Sequence, residues 1–183
     1  MARKNNIIET TTKVNSWGQT VTTKKIKDEL FRNSIEISES QSDLAKKETN
    51  DCVVRAFMFA LNLSYEKAHS FVANKFKRKN RKGTYTSLFL KNVLGTQKNG
   101  YKITLMGYHP KYRPSLEKKL VNPKYKKETG YTVKSFMEQH QQGRYFLIVR
   151  GHALALVDGV LYGNRNEQFD GFRRPVKFAL RCK

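Results

Sequence analysis

The chain has 183 residues, with 36 Lys and Arg against 15 Asp and Glu, a formal net charge of +21. That length supports one good core with attached segments better than two full domains, and so much positive charge favours a polyanion as neighbour, nucleic acid first. Two cysteines far apart, Cys52 and Cys182, argue against a zinc knuckle or a disulfide scaffold, and no apolar run approaches membrane-spanning length.

The opening Met1–Glu9 carries positive charge without the apolar centre of a signal peptide. The expectation is a cytoplasmic, reduced protein with no membrane insertion. Residues 1–45 read as a polar N-terminal arm or extension, with Thr-rich, β-favouring patches around Trp17-Gly18. Ile26, Leu30 and Phe31 suggest a brief helix, and Ser38 to Ser42 is a loop by composition.

Residues 46–183 form the main domain. Thr49 or Asn50 caps a helix from about Asp51 to Leu61 that is apolar almost all round, as a buried central helix is. Cys52 opens it. There the free N–H groups and the positive end of the helix dipole favour a thiolate, provided a cation stands nearby to offset burial. The plainer reading is a small apolar residue among Val, Ala, Phe and Met. Ser64 caps a second helix with Tyr65, Ala68, Val72 and Phe76 on one face, beside which His69 is a surface or half-buried residue. Lys77, Arg78, Lys79, Arg81 and Lys82 then make a basic loop suited to phosphate oxygens, weighed against an ordinary solvated charge run.

Thr84 to Leu94 gives a third helix closed by Gly95, and Ile103 to Met106 a strand. Residues 107–131 form a Lys/Tyr/Pro-rich insertion in which Lys111, Tyr112 and Arg113 can stack bases and neutralise phosphates. Thr132 caps a helix through Val133, Phe136 and Met137. Strands at Tyr145–Val149 and His152–Val157 follow, and Asp158-Gly159 is a two-residue hairpin turn into Val160–Tyr162. A last strand covers Val176–Leu180.

A cysteine opening a buried helix, further helices, then a histidine starting a strand of an antiparallel sheet places a thiol opposite an imidazole. Asn50-Asp51-Cys52-Val53-Val54-Arg55-Ala56, Gly83-Thr84-Tyr85, and Gly143-Arg144-Tyr145 with Gly151-His152 through Asp158-Gly159 resemble papain-like cysteine peptidases. The likeness is to the small bacteriocin-processing-peptidase-like proteins of bacteria and phages, over about residues 48–165. It implies an α+β fold with the Cys-bearing helix packed on a C-terminal antiparallel sheet. It further implies Cys52 as nucleophile, His152 as general base and acid, and Asn50 as oxyanion donor beside the Cys52 N–H.

The sequence departs from that pattern at the residue that orients the histidine. A two-residue turn pairs Val157 with Val160 and puts Gly163 where similar sequences tend to carry Asp. Asn164 serves only if the register shifts by one, and Asn166 or Asp170 is the alternative from a loop. Two functions therefore stand side by side. One is a thiol hydrolase cleaving a peptide or isopeptide bond of a protein substrate, without a cofactor. The other is an inactive basic protein on the same fold, bound to nucleic acid or assembled with other proteins of a virus particle.

Overall fold

The computed structural model describes residues 6–85, 92–108 and 130–183. It opens on a hairpin, β1 (Ile8–Val14) and β2 (Thr20–Ile26), which among the described residues pair only with each other. Its tip is set by Asn15, whose side-chain carbonyl accepts from the N–H groups of Trp17 and Gln19, and Trp17 stands 82% exposed there. At the other end Ile7 and Ile26 are buried in the core.

The segment expected as an arm is thus rooted in the fold, and it goes on to supply β3 (Phe31–Asn33), which runs parallel to β8 (Val160–Gly163) at the sheet edge. Ile26 closes β2 and Phe31 begins β3, separated by a short 3₁₀ turn at Asp28–Leu30, so the expected brief helix is only that turn. Ser38 to Gln41, expected as loop, lie in α1 (Ser34–Gln41), followed by α2 (Asp43–Lys47). Asn33 and Ser42 cap these helices, and buried Ser38 accepts a hydrogen bond from Arg55, a tertiary contact that offsets the poor helix propensity of a Ser-rich stretch.

Next come α3 (Cys52–Ala60) and α4 (Tyr65–Phe76), the latter capped by Ser64 as the sequence indicates. Most of the Thr84–Leu94 helix expectation falls outside the described residues; Asn92 and Val93 are helical and Gly95 follows with a φ of 77°. A short hairpin, β4 (Gln97–Lys98) and β5 (Tyr101–Tyr108), precedes α5 (Val133–Gln139), which Thr132 and Ser135 close with a reciprocal capping box. The chain ends in β6 (Arg144–Val149), β7 (His152–Val157), β8, the short helix α6 (Arg165–Phe169) and β9 (Phe178–Cys182).

Among the described residues the main sheet has seven strands in the order β3-β8-β7-β6-β9-β5-β4, antiparallel except for β3 with β8, so the fold is α+β. Side chains alternate across it. Phe146, Ile148, Ala153, Ala155, Phe178 and Leu180 meet α3 and α4, and Phe57 of α3 stacks on Phe146 with ring centroids 4.3 Å apart. Tyr145, Leu147, Leu154, Leu156 and Leu161 point the other way, onto Phe136 and Met137 of α5 and the root of the β1–β2 hairpin. Both faces are covered, which is why these strands read as continuous apolar runs. This packing fixes the N-terminus of α3 against the start of β7. Among the described residues no helix is long and apolar enough to cross a membrane.

Candidate active site

The residue before the cysteine, Asp51, is the N-cap of α3, but its carboxylate does not cap the helix. Oδ2 accepts from Arg55 Nε at 2.8 Å and from the Tyr65 hydroxyl, while Arg55 donates onward to Ser38 Oγ at 2.7 Å and to Glu39 Oε1 at 3.4 Å. Asp51 and Arg55 are both buried, so this network ties the first turn of α3 to α1 and α4 and holds the sulfur in place. Asn50 adopts a left-handed φ of 54°, and its amide donates to the Arg81 carbonyl at 3.4 Å. Asn50, proposed from sequence as a cap or an oxyanion donor, is therefore fastened to the basic loop while still lining the space beside Cys52.

His152 is the first residue of β7, reached through a tight turn in which Gly151 has a φ of 73°. Cys52 and His152 line one cavity of about 390 Å³ together with Asn50, Gly83, Arg150 and Lys177. They also line a second, of about 350 Å³, with Asn164, Thr49 and Glu39. The Ala153 N–H, one residue along from His152, faces the Cys52 sulfur. The helix-borne thiol and the strand-borne imidazole thus share one cleft.

The β7–β8 turn has two residues, with Val157 opposite Val160 and Ala155 opposite Tyr162, and no register shift intervenes. The shift needed to turn Asn164 toward His152 is absent. Asn164 instead ends the strand as N-cap of α6, without a side-chain cap bond, and lies on the second cavity wall. The acid behind the imidazole is Glu167. Its Oε2 lies 3.7 Å from His152 Nε2, its Oε1 accepts from Arg174 at 3.2 Å, and its side chain is 4% exposed. Oε2 has no hydrogen-bond partner among the described residues.

The glycine that stood in place of an Asp now has a reason. A Cβ on Gly163 would sit 2.7 Å from Leu154 Cδ2 and 3.3 Å from Glu167 Cβ, and one on Gly171 would sit 2.9 Å from Glu167 Cγ. The two glycines make the space that Glu167 fills. With Nε2 turned to Glu167, Nδ1 is the ring nitrogen left for the thiol. Sequence reading missed Glu167, although Asn164-x-x-Glu167 after a strand has the form of a helix start and would have placed residue 167 one turn into α6.

The charge state differs from the thiolate expected at a helix N-terminus. Burial pushes the Cys52 thiol up, and the negative charges of Asp51 and Glu167 push it further, against the N–H groups of Ala153 and Val53. His152 is held below its ordinary value by burial and by the Arg174 charge, with Glu167 and Asp51 opposing. The resting pair is a neutral thiol and a neutral imidazole. Cys182 is buried in the core, its thiol pushed up to about 12 by burial, and has no part in the cleft.

The basic loop also divides. Arg78, expected to face phosphates, is buried instead: Nη2 donates to Glu48 Oε2 at 2.7 Å and to the Thr49 carbonyl at 3.1 Å, and Nη1 lies 3.2 Å from His69 Nε2. The Arg81 N–H joins the same carboxylate at 2.8 Å and its Nε donates to the Lys47 carbonyl. Burial alone would raise the Glu48 carboxyl, but the Arg81 N–H and Arg78 outweigh it and hold it low. Two of the five cations thus fasten the loop to the segment before Cys52, while Lys77, Lys79 and Lys82 are exposed. Lys111, Tyr112 and Arg113 lie outside the described residues. Among the described residues no group of His, Cys, Asp or Glu is placed to hold a metal ion. No family model matches the chain, and no curated protein or solved structure does so either.

Proposed function

We propose that the protein is a thiol hydrolase in which Cys52 is the nucleophile and His152 the general base and acid. The observation that carries this reading is the shared cleft of Cys52 and His152 with a buried carboxylate 3.7 Å behind the ring. Within that class, a papain-like peptidase or isopeptidase fits best, because a helix-borne sulfur shares its cleft with an imidazole borne on an antiparallel sheet.

From a neutral pair, His152 Nδ1 takes the thiol proton as the sulfur bonds to the substrate carbonyl carbon. The imidazolium so formed gains the attraction of Glu167, whose free Oε2 faces Nε2. The carbonyl oxygen, now an oxyanion, is met by the Cys52 N–H, one of the donors that a helix N-terminus leaves unpaired, and by the Asn50 amide. The imidazolium then gives its proton to the leaving amine as the C–N bond breaks. Water, deprotonated by the neutral imidazole, cleaves the thioester and restores the thiol. Incubation with a quenched-fluorescence peptide library tests the reading: cleavage lost in both Cys52→Ser and His152→Ala supports it, and cleavage retained in Cys52→Ser overturns it.

A further inference from the structure

The cleft does not end at Cys52. Gly83, Thr84 and Tyr85 form a wall shared by the Cys52–His152 cavity and a neighbouring one of about 580 Å³, lined also by Phe76, Lys77, Arg78, Lys79 and Lys82. On this wall Thr84 Oγ1 is buried without a partner among the described residues, whereas the Arg78 side chain, 0% exposed, is enclosed in the protein. A buried N–H or O–H donor without an acceptor is costly and marks a place where an acceptor belongs. Lys77, Lys79 and Lys82 are exposed around the same cavity and carry no ion pair among the described residues. The Glu48 carboxylate is already neutralised by Arg78 and the Arg81 N–H.

We propose that this cavity is an anion subsite of the thiol cleft, taking the carboxylate or phosphate of an acidic residue that flanks the bond to be cleaved. The inference rests on the hydrolase reading for its purpose, though its binding chemistry stands separately. The Thr84 hydroxyl supplies a donor, Arg78 anchors the loop to Glu48, and the three lysines supply charge. Because Arg78 and Arg81 are tied to the chain before Cys52, the loop is a formed wall of a pocket. That geometry suits one acidic side chain held beside the thiol, and it gives the substrate a direction across the site.

The test uses the full chain as Cys52→Ala and follows the anisotropy of fluorescein-labelled peptides of alternating Glu and Gly, with Gln and phosphoserine counterparts, at physiological salt. The expected result is binding of the Glu peptide about tenfold or more tighter than the Gln peptide, as charged hydrogen bonds provide. Lys77→Gln/Lys79→Gln/Lys82→Gln should abolish the difference, and the phosphoserine peptide, if tighter still, assigns the site to phosphate over carboxylate. In the protein with Cys52 intact, bound Glu peptide should slow iodoacetamide labelling of Cys52. Equal affinity for Glu and Gln peptides overturns the proposal, as does binding without protection of Cys52. An oligothymidylate that binds more tightly than either acidic peptide and loses affinity in the triple variant overturns it in favour of nucleic acid. Cys52 labelling that ignores His152→Ala overturns the hydrolase reading alone and leaves the anion result readable.

Discussion

Replacing Glu167 by Gln removes a charge and little volume, so it isolates the electrostatic part of the site. At the observed 3.7 Å, unit charges on His152 and Glu167 attract by roughly 4 kcal/mol in an effective dielectric of about 20. Arg174, 3.2 Å from the other carboxylate oxygen, cancels part of this and leaves about 2–3 kcal/mol for the imidazolium. Since each ~1.4 kcal/mol is tenfold in rate, acyl transfer from 4-nitrophenyl acetate to Cys52 should slow by roughly a hundredfold in Glu167→Gln. In the same variant the His152 imidazole, already held low by burial, should titrate at a still lower pH by NMR. An unchanged melting temperature confirms that the fold is intact. A rate within about twofold of wild type, with an unmoved histidine titration, refutes the role given to Glu167.

Gly163→Ala drives a Cβ to 2.7 Å from Leu154 Cδ2, and overpacking of that kind costs about 1–3 kcal/mol, measurable as a lower denaturation midpoint with slower acyl transfer. Tyr65→Phe leaves buried Asp51 with Arg55 alone and should cost about 1–3 kcal/mol in the same assay. For pH, the His152 pKa lies below its ordinary 6.5 in the folded protein, so the unfolded chain takes up the proton first as pH falls. Its contribution is present above pH 6.5 and lost as pH drops through the folded value, so chemical denaturation of His152→Phe should show a flatter slope than wild type below pH 6.5. The buried Cys52 thiol acts at the other end: with its pKa raised above 9.0, stability falls as pH rises past that value, and Cys52→Ala removes that loss.

The parts of the fold that were legible are those whose local signals agree. Tyr145 to Val157 combines apolar strands with turn glycines, and Asp158-Gly159 fixes the hairpin register that the structure shows, with φ of 47° and 83° at the two turn residues. Thr132 and Ser64 cap their helices as read. Cys52 and His152 were visible because each opens an apolar element. What stayed hidden depends on contacts across the chain. Ser38 reads as loop until Arg55, 17 residues on, is seen to bond it. Arg78 reads as one cation in a charged run, yet it faces Glu48, 30 residues earlier. Glu167 reads as part of a polar tail, and its relation to His152 exists only because Gly163 and Gly171 leave room for it. The lowered thiol pKa expected from the helix dipole fails for a similar reason, since burial and two nearby carboxylates outweigh the N–H groups.

If Cys52 reacts as a nucleophile because His152 removes its proton, its acylation must depend on that imidazole. Mass-spectrometric mapping of acetyl transfer from 4-nitrophenyl acetate at neutral pH tests it most directly, in wild type and in His152→Ala. The expected result is acetylation at Cys52 and not at buried Cys182, slowed severely in His152→Ala. An unmodified Cys52, or one acetylated just as fast without the imidazole, would contradict it.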